Sequence, residues 1–136
     1  MSRCVIDDDM DQIYRAFREC RALVISTPVY YRSVSAQLLA VLQRIYAVKH
    51  EKPLSGKLGG AIAVGRGTSG GQSIAINQIY TWMLSCGMIC LPGELNGMTA
   101  VADKPKEILD QPKRLRQAEI LGENILSLAE KLSGEP

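Results

Sequence analysis

No stretch of this 136-residue chain reaches the roughly 20 consecutive apolar residues that a membrane-spanning helix needs. Nor is there a leader with a charged start and an apolar stretch, so a cytoplasmic location is expected. A net charge of +2 gives no strong field to draw nucleic acid or a membrane surface. The single histidine, His50, sits among charged residues and suggests no metal cluster. The four cysteines, Cys4, Cys20, Cys86 and Cys90, make no C-x-x-C pair and read as reduced thiols. Cys86 and Cys90 bracket a helix-to-strand junction, where free cysteine usually packs as a small hydrophobe. There is no internal repeat, low-complexity tract or linker, which leaves one domain spanning residues 1–136. With 46% hydrophobic and 22% charged residues, that domain has the balance of an ordinary globular protein. These exclusions leave a small molecule or another protein as the expected partner.

What is present is an alternation of two periods. Met10, Ile13, Tyr14 and Phe17 follow the acidic run 7–9 at helical spacing, predicting a helix over Asp8 to Cys20. "ALVIST", residues 22–27, is a short apolar run ending at Pro28, as expected of a strand buried on both faces. Leu38, Leu39, Leu42, Ile45 and Tyr46 return to helical spacing, with Ser33 or Ser35 as the cap. "LGGAIAVG" at 58–65 reads as a second strand, and Gln72 to Cys86 as a helix facing inward through Ala75, Ile76, Ile79 and Met83. "MICLP" is a third strand, 93–105 a loop, and Leu121, Ile125, Leu128 and Leu132 the buried stripe of a last helix. Lys113, Arg114 and Arg116 in its first turns read as a solvated face. Strands alternating with helices specify a three-layer α/β fold with a parallel sheet and right-handed crossovers. Its ligands belong beyond the carboxyl ends of the strands.

Two loops leave the strands at that end. "TPVYY" places Tyr30 and Tyr31 at an exposed corner, where a turn needs only Gly, Pro, Asn, Asp or Ser. Ring-packing groups and subunit-contact tyrosines are both consistent with that position. "VGRGTSGGQS" puts four glycines within seven residues, a backbone able to come very close to a ligand. It is not a P-loop, because Gln72 rather than Lys precedes Ser73. Gly65, Gly67 and Gly70 match the dinucleotide spacing, but Glu94 is a poor candidate for the acidic residue of that fingerprint. A planar heteroaromatic ligand wants an aromatic or peptide platform on one side and backbone N–H groups at its edge, and a flavin fits the two loops together.

"SRCVIDDDMDQIY", "STPVYYRSVSAQLLAVLQR", "KLGGAIAVGRGTSGGQS" and "CGMICLPG" together resemble the NADPH-dependent FMN reductase family, in particular its iron–sulfur flavoprotein branch. The resemblance covers most of the chain in the same order. It implies a flavodoxin-like fold, FMN as cofactor and NAD(P)H as a candidate electron donor. It also implies that Pro28, Val29, Tyr30, Tyr31 and Ser33 border the flavin ring while Gly65, Gly67, Gly70, Gly71 and Gln72 close the other loop around it. No side-chain acid or nucleophile is needed, since the flavin carries the electron chemistry.

The sequence also departs from the family. It begins where relatives have already passed two strands and a Ser/Gly-rich phosphate-binding loop, so a domain incomplete at its N-terminus is expected. Cys4 resembles the last cysteine of the branch's cluster, and no iron–sulfur centre is expected from this chain alone. Arg32 stands where relatives usually carry a small residue, often glycine. The apolar strand at 22–27 would keep an open edge, which predicts a homo-oligomer, a dimer or larger. Two functions follow: an FMN-dependent oxidoreductase, or a non-catalytic truncated module acting through oligomerisation.

Overall fold

At the centre lies a strand rich in glycine and alanine. The computed structural model describes residues 5–93 and 95–134, and in it β2 (Leu58–Gly65) runs through the middle of a parallel sheet. Its glycines are explained by what lies above and below. A Cβ on Gly59 would stand 2.7 Å from Met83 Sδ on one face, and a Cβ on Gly60 would stand 3.0 Å from Leu121 Cδ1 on the other. Successive strand residues point to opposite faces, so the glycine pair lets helices α3 (Gly71–Ser85) and α4 (Pro112–Ser133) close onto the sheet from both sides. This is the expected three-layer arrangement.

β1 (Ala22–Pro28) pairs with one edge of β2, from Ala22 opposite Leu58 to Pro28 opposite Val64. The other edge of β2 is shared. β3 (Ile89–Cys90) pairs with Leu58 and Gly59, and β4 (Met98–Val101) pairs with Ile62 to Gly65. The strand expected over 88–92 is therefore short, and the segment read as loop 93–105 holds a second parallel piece in the same position of the sheet.

The two faces are filled unequally. On one, Ile25, Ala61 and Ala63 pack with Met10, Tyr14 and Phe17 of α1 (Met10–Glu19), Leu42 of α2 (Ala36–Arg44) and Ile76, Ile79 and Met83 of α3. On the other, Leu121 and Ile125 of α4 cover Leu58, Leu91, Ala22 and Ile62. α4 does not extend over the rest of β1, and Val24 stays 45% exposed. The expectation of a strand buried on both faces thus fails at Val24 and Ser26, because one covering helix lies over β2 and β4 instead. The inward stripe of α4 ends earlier than its spacing suggests, with Leu128 half-buried and Leu132 exposed. Tyr46 likewise lies outside the core, in a 3-10 turn over 45–51 with the Lys49 ammonium 3.6 Å above its ring.

Polar contacts set the connections. Lys57 Nζ, from the residue just before β2, donates to the carbonyls of Phe17 and Arg18 and satisfies the last turn of α1. Asp8 is bidentate to Arg44 at 2.6 and 2.8 Å, and the Tyr14 hydroxyl donates to the Arg44 carbonyl. Trp82 packs against Phe17 and donates its indole N–H to the Leu42 carbonyl, which makes it a structural residue joining α3 to α2. Arg116 binds Glu119 and Glu123 on the exposed side of α4, as the solvated-face reading expects.

Candidate functional site

The carboxyl ends of β1, β2 and β4 surround a cleft of about 510 Å³ formed by residues 26–30, 64–66 and 102–103. Its first wall is the exit of β1. The buried Thr27 hydroxyl accepts from the Ser35 N–H, and Ser35 Oγ in turn accepts from the Leu38 N–H as the N-cap of α2. Between those anchors the chain reverses in two residues. Tyr30 and Ser33 exchange both backbone hydrogen bonds, at 3.1 and 3.0 Å, and the intervening Tyr31 and Arg32 have φ of +50° and +67°. Two left-handed residues in a row are the mark of a type I′ turn, normally supplied by Asn-Gly, and non-glycine residues there carry strain of about 1–2 kcal/mol each. The turn projects the Tyr31 ring wholly into solvent and leaves Tyr30 63% exposed at the cleft.

The second wall is the glycine-rich loop. Gly70 holds φ +83° as the N-cap of α3, a conformation that favours glycine. The side chain of Gln72 is buried beneath the loop, where Nε2 donates to the Gly67 carbonyl at 2.7 Å and to the Ala100 carbonyl of β4 at 3.2 Å. The two walls interlock. Val29 donates its N–H to the Val64 carbonyl, and a Cβ on Gly71 would stand 3.1 Å from Val29 Cγ1 and 3.4 Å from Arg32 Cα. Arg32 Nη1 reaches the Ser69 carbonyl at 3.2 Å. At the mouth, Arg66 and Asp103 pair at 2.9 Å with both side chains well exposed, so the pair is screened and weakly held.

Of the residues singled out from the sequence, Pro28, Val29, Tyr30 and Gly65 line this cleft. Gly71 and Gln72 are buried behind it, Gly67 and Gly70 lie on the exposed crest of the loop, and Tyr31 points away into water. Ser33 turns outward to α3, where its hydroxyl donates to Gln78 Oε1. Gln78 also accepts from the Val34 N–H, a bracing role that helical periodicity does not reveal. Ala102 and Asp103 were missed because the strand delivering them was read as loop. The alternation in "MTAV" after Gly97 was the available signal.

Cys20, Cys86 and Cys90 are free and half-buried, and burial pushes the Cys86 and Cys90 thiols above their usual range. Among the described residues no three His, Cys, Asp or Glu side chains stand close enough to hold a metal. Cys4, the residue resembling a cluster ligand, lies outside the described residues. Among the described residues no helix is long and apolar enough to cross a membrane.

The architecture is shared with solved flavoproteins. A WrbA-like flavodoxin from Agrobacterium tumefaciens superposes with a TM-score of 0.77 at 13% identity, covering 89% of this chain and 73% of that one. RosB, solved with 8-demethyl-8-formylriboflavin-5'-phosphate, gives 0.72 at 16% identity, covering 97% and 56%. In sequence, an iron–sulfur flavoprotein of Methanocaldococcus jannaschii is 33% identical over 127 residues, which is 90% of this chain and 66% of that protein. One from Methanosarcina thermophila is 34% identical over 122 residues, covering 79% and 64%. The chain thus spans about two thirds of the length of these curated relatives. The sequence profile described as NADPH-dependent FMN reductase matches residues 1–101, and the chain belongs to that family, with the flavodoxin-like fold its sequence implied.

Proposed function

We propose that this chain is an FMN-dependent oxidoreductase of the NAD(P)H-dependent FMN reductase type, with the flavin in the cleft between the 28–33 turn and the 65–72 loop. The observation that carries the reading is the interlock of those two loops at the carboxyl ends of the strands, in a chain belonging to this family. The cleft suits a flat ligand. No atom lies within 4 Å of where a Cβ on Gly70 would stand, and the nearest to that on Gly67 is Ser69 Oγ at 4.0 Å, so the loop backbone is open to close approach. Pro28, Val29, Tyr30 and Gly65 would hold the ring, and Gln72 would fix the loop that closes on it. Bound FMN would supply the hydride and electron chemistry, while these residues bind it, orient it and exclude water.

Arg66, the one basic residue among those lining the cleft, is paired with Asp103. Charge-assisted hydrogen bonds contribute about 1.5–3 kcal/mol each, so a ligand held mainly by its ring would bind with riboflavin rivalling FMN. Titrating both flavins against the purified chain by fluorescence quenching tests this, followed by NADPH oxidation with added flavin. Saturable quenching by both is the expected result. A colourless chain that ignores FMN under native conditions would refute the reading, and tight FMN binding with rejection of riboflavin would show that a phosphate site exists. The same reading includes NAD(P)H as donor, a homo-oligomer as the working form, and a cytoplasmic location.

A further inference from the structure

We propose that Arg32 is a positioning residue of this cleft, pinning the glycine-rich loop 66–70 against the 28–33 turn and so setting how long a ligand stays bound. The inference rests on the flavin reading above for the ligand and on the geometry alone for the loop. Arg32 occupies φ +67°, directly after Tyr31 at +50°, a backbone state that glycine adopts with less strain. The residue kept there bonds the loop once and lies close to Gly71 at the start of α3. Its Nη1 donates to the Ser69 carbonyl at 3.2 Å, and its Cα and Cγ lie 3.4 and 3.5 Å from where a Cβ on Gly71 would stand. Gln72 holds the other end of the loop through the Gly67 carbonyl. The four loop residues between Arg66 and Gly71 are exposed, and a Cβ on Gly67 or Gly70 would meet nothing closer than Ser69 Oγ at 4.0 Å. Without Arg32 the segment from Thr68 to Gly70 loses its bond to the 28–33 turn while the base of the loop stays fixed.

The test is Arg32→Gly beside Arg32→Lys in the full chain. Arg32→Gly relieves the left-handed strain but also loses the Ser69 bond, so the melting temperature shifts by less than about 2 °C. In the same variant, amides 68–70 exchange faster with solvent in the absence of flavin. FMN dissociates about tenfold faster, as expected from losing one hydrogen bond to a charged group. Arg32→Lys, which retains a cation able to reach Ser69, restores part of the loop protection and residence time. A purely structural role would move stability and binding together, whereas here loop protection and residence time fall while the melting temperature hardly changes. Unchanged amide exchange in Arg32→Gly overturns the proposal, as does faster exchange with unchanged FMN dissociation. If the parent chain binds no flavin, the functional reading fails separately, and amide exchange alone decides whether Arg32 pins the loop.

Discussion

Gln72 illustrates how one side chain joins the site to the sheet. It is 6% exposed, follows the N-terminal glycine of α3, and spends its amide on two carbonyls from different segments, Gly67 and Ala100. Replacing it with leucine keeps the volume but strips a buried strand carbonyl of a donor, which costs about 1–3 kcal/mol. The urea midpoint of Gln72→Leu should fall at an unchanged m-value, because the loss is local and the core still forms. The sequence singled out Gln72, but as a loop-closing residue beside a ligand. Its spacing from Ala100 is long in sequence, and only the pairing of β4 with β2 brings that carbonyl above it. Tyr31 shows the converse. Two adjacent tyrosines look equivalent in the sequence, yet the left-handed turn separates them, leaving Tyr30 beside the cleft and Tyr31 in solvent. Backbone sign at a two-residue turn follows from the strand twist it must match, and glycine is its usual marker. Arg32 removes that marker.

Among the elements, the long periodic ones were legible and the divided strand was not. α1, β1, β2 and α3 lie within two residues of their expected bounds, since periodicity and turn residues agree there. β3 and β4 share a single sheet position, and Pro92 and Gly93 after "MICL" read as the end of the strand rather than an interruption. Gly97 makes the re-entry possible. It holds φ +137°, and a Cβ there would stand 2.9 Å from Ile76 Cγ2 and 3.0 Å from the Ala61 carbonyl. Gly97→Ala combines a left-handed strain with a core clash, so a loss of at least about 2 kcal/mol is expected by chemical denaturation. Because β4 delivers Ala102 and Asp103 to the cleft, the same variant should weaken flavin binding. Stability between elements also depends on pH. Arg44 beside Asp8, Arg18 beside Glu51 and Arg116 beside Glu123 hold those carboxyls below their usual range, as backbone N–H groups of Asp103 and Lys104 do for Glu107. Each group releases its proton more readily in the folded chain. Its contribution is therefore complete above the unfolded carboxylate range near pH 4, and is lost as pH falls through the lower folded values. Melting temperatures should be flat near neutrality and decline below about pH 4, less steeply in high salt because all four carboxylates face water.

For the whole molecule, the consequence lies at the edge of the sheet. Among the described residues β1 pairs with β2 alone, so the N–H and C=O groups on its other side are available to another strand. Val29 donates to Val64, which by alternation turns the N–H groups of Ser26 and Val24 toward that free edge. Pro28 has no N–H to offer, and limits pairing to the first six residues of the strand. On the face that α4 leaves open, Val24 presents an apolar side chain in the middle of this segment, and covering it contributes about 25 cal/mol per Å². Edge and face together are the physical basis for proposing a homo-oligomer. Val24→Lys tests it with little risk to the fold, because the side chain already contacts water and a lysine on an edge strand opposes intermolecular pairing. Sedimentation at micromolar concentration should show the parent chain as a dimer or larger and the variant shifted toward monomer, with both melting cooperatively. A parent chain that stays monomeric and soluble would overturn the assembly. Flavin binding measured on the same two proteins then separates the functions, since a cleft formed by residues 26–30, 64–66 and 102–103 of one chain predicts equal flavin affinity in the two states. If affinity falls with the variant's oligomer, a second copy contributes to the site.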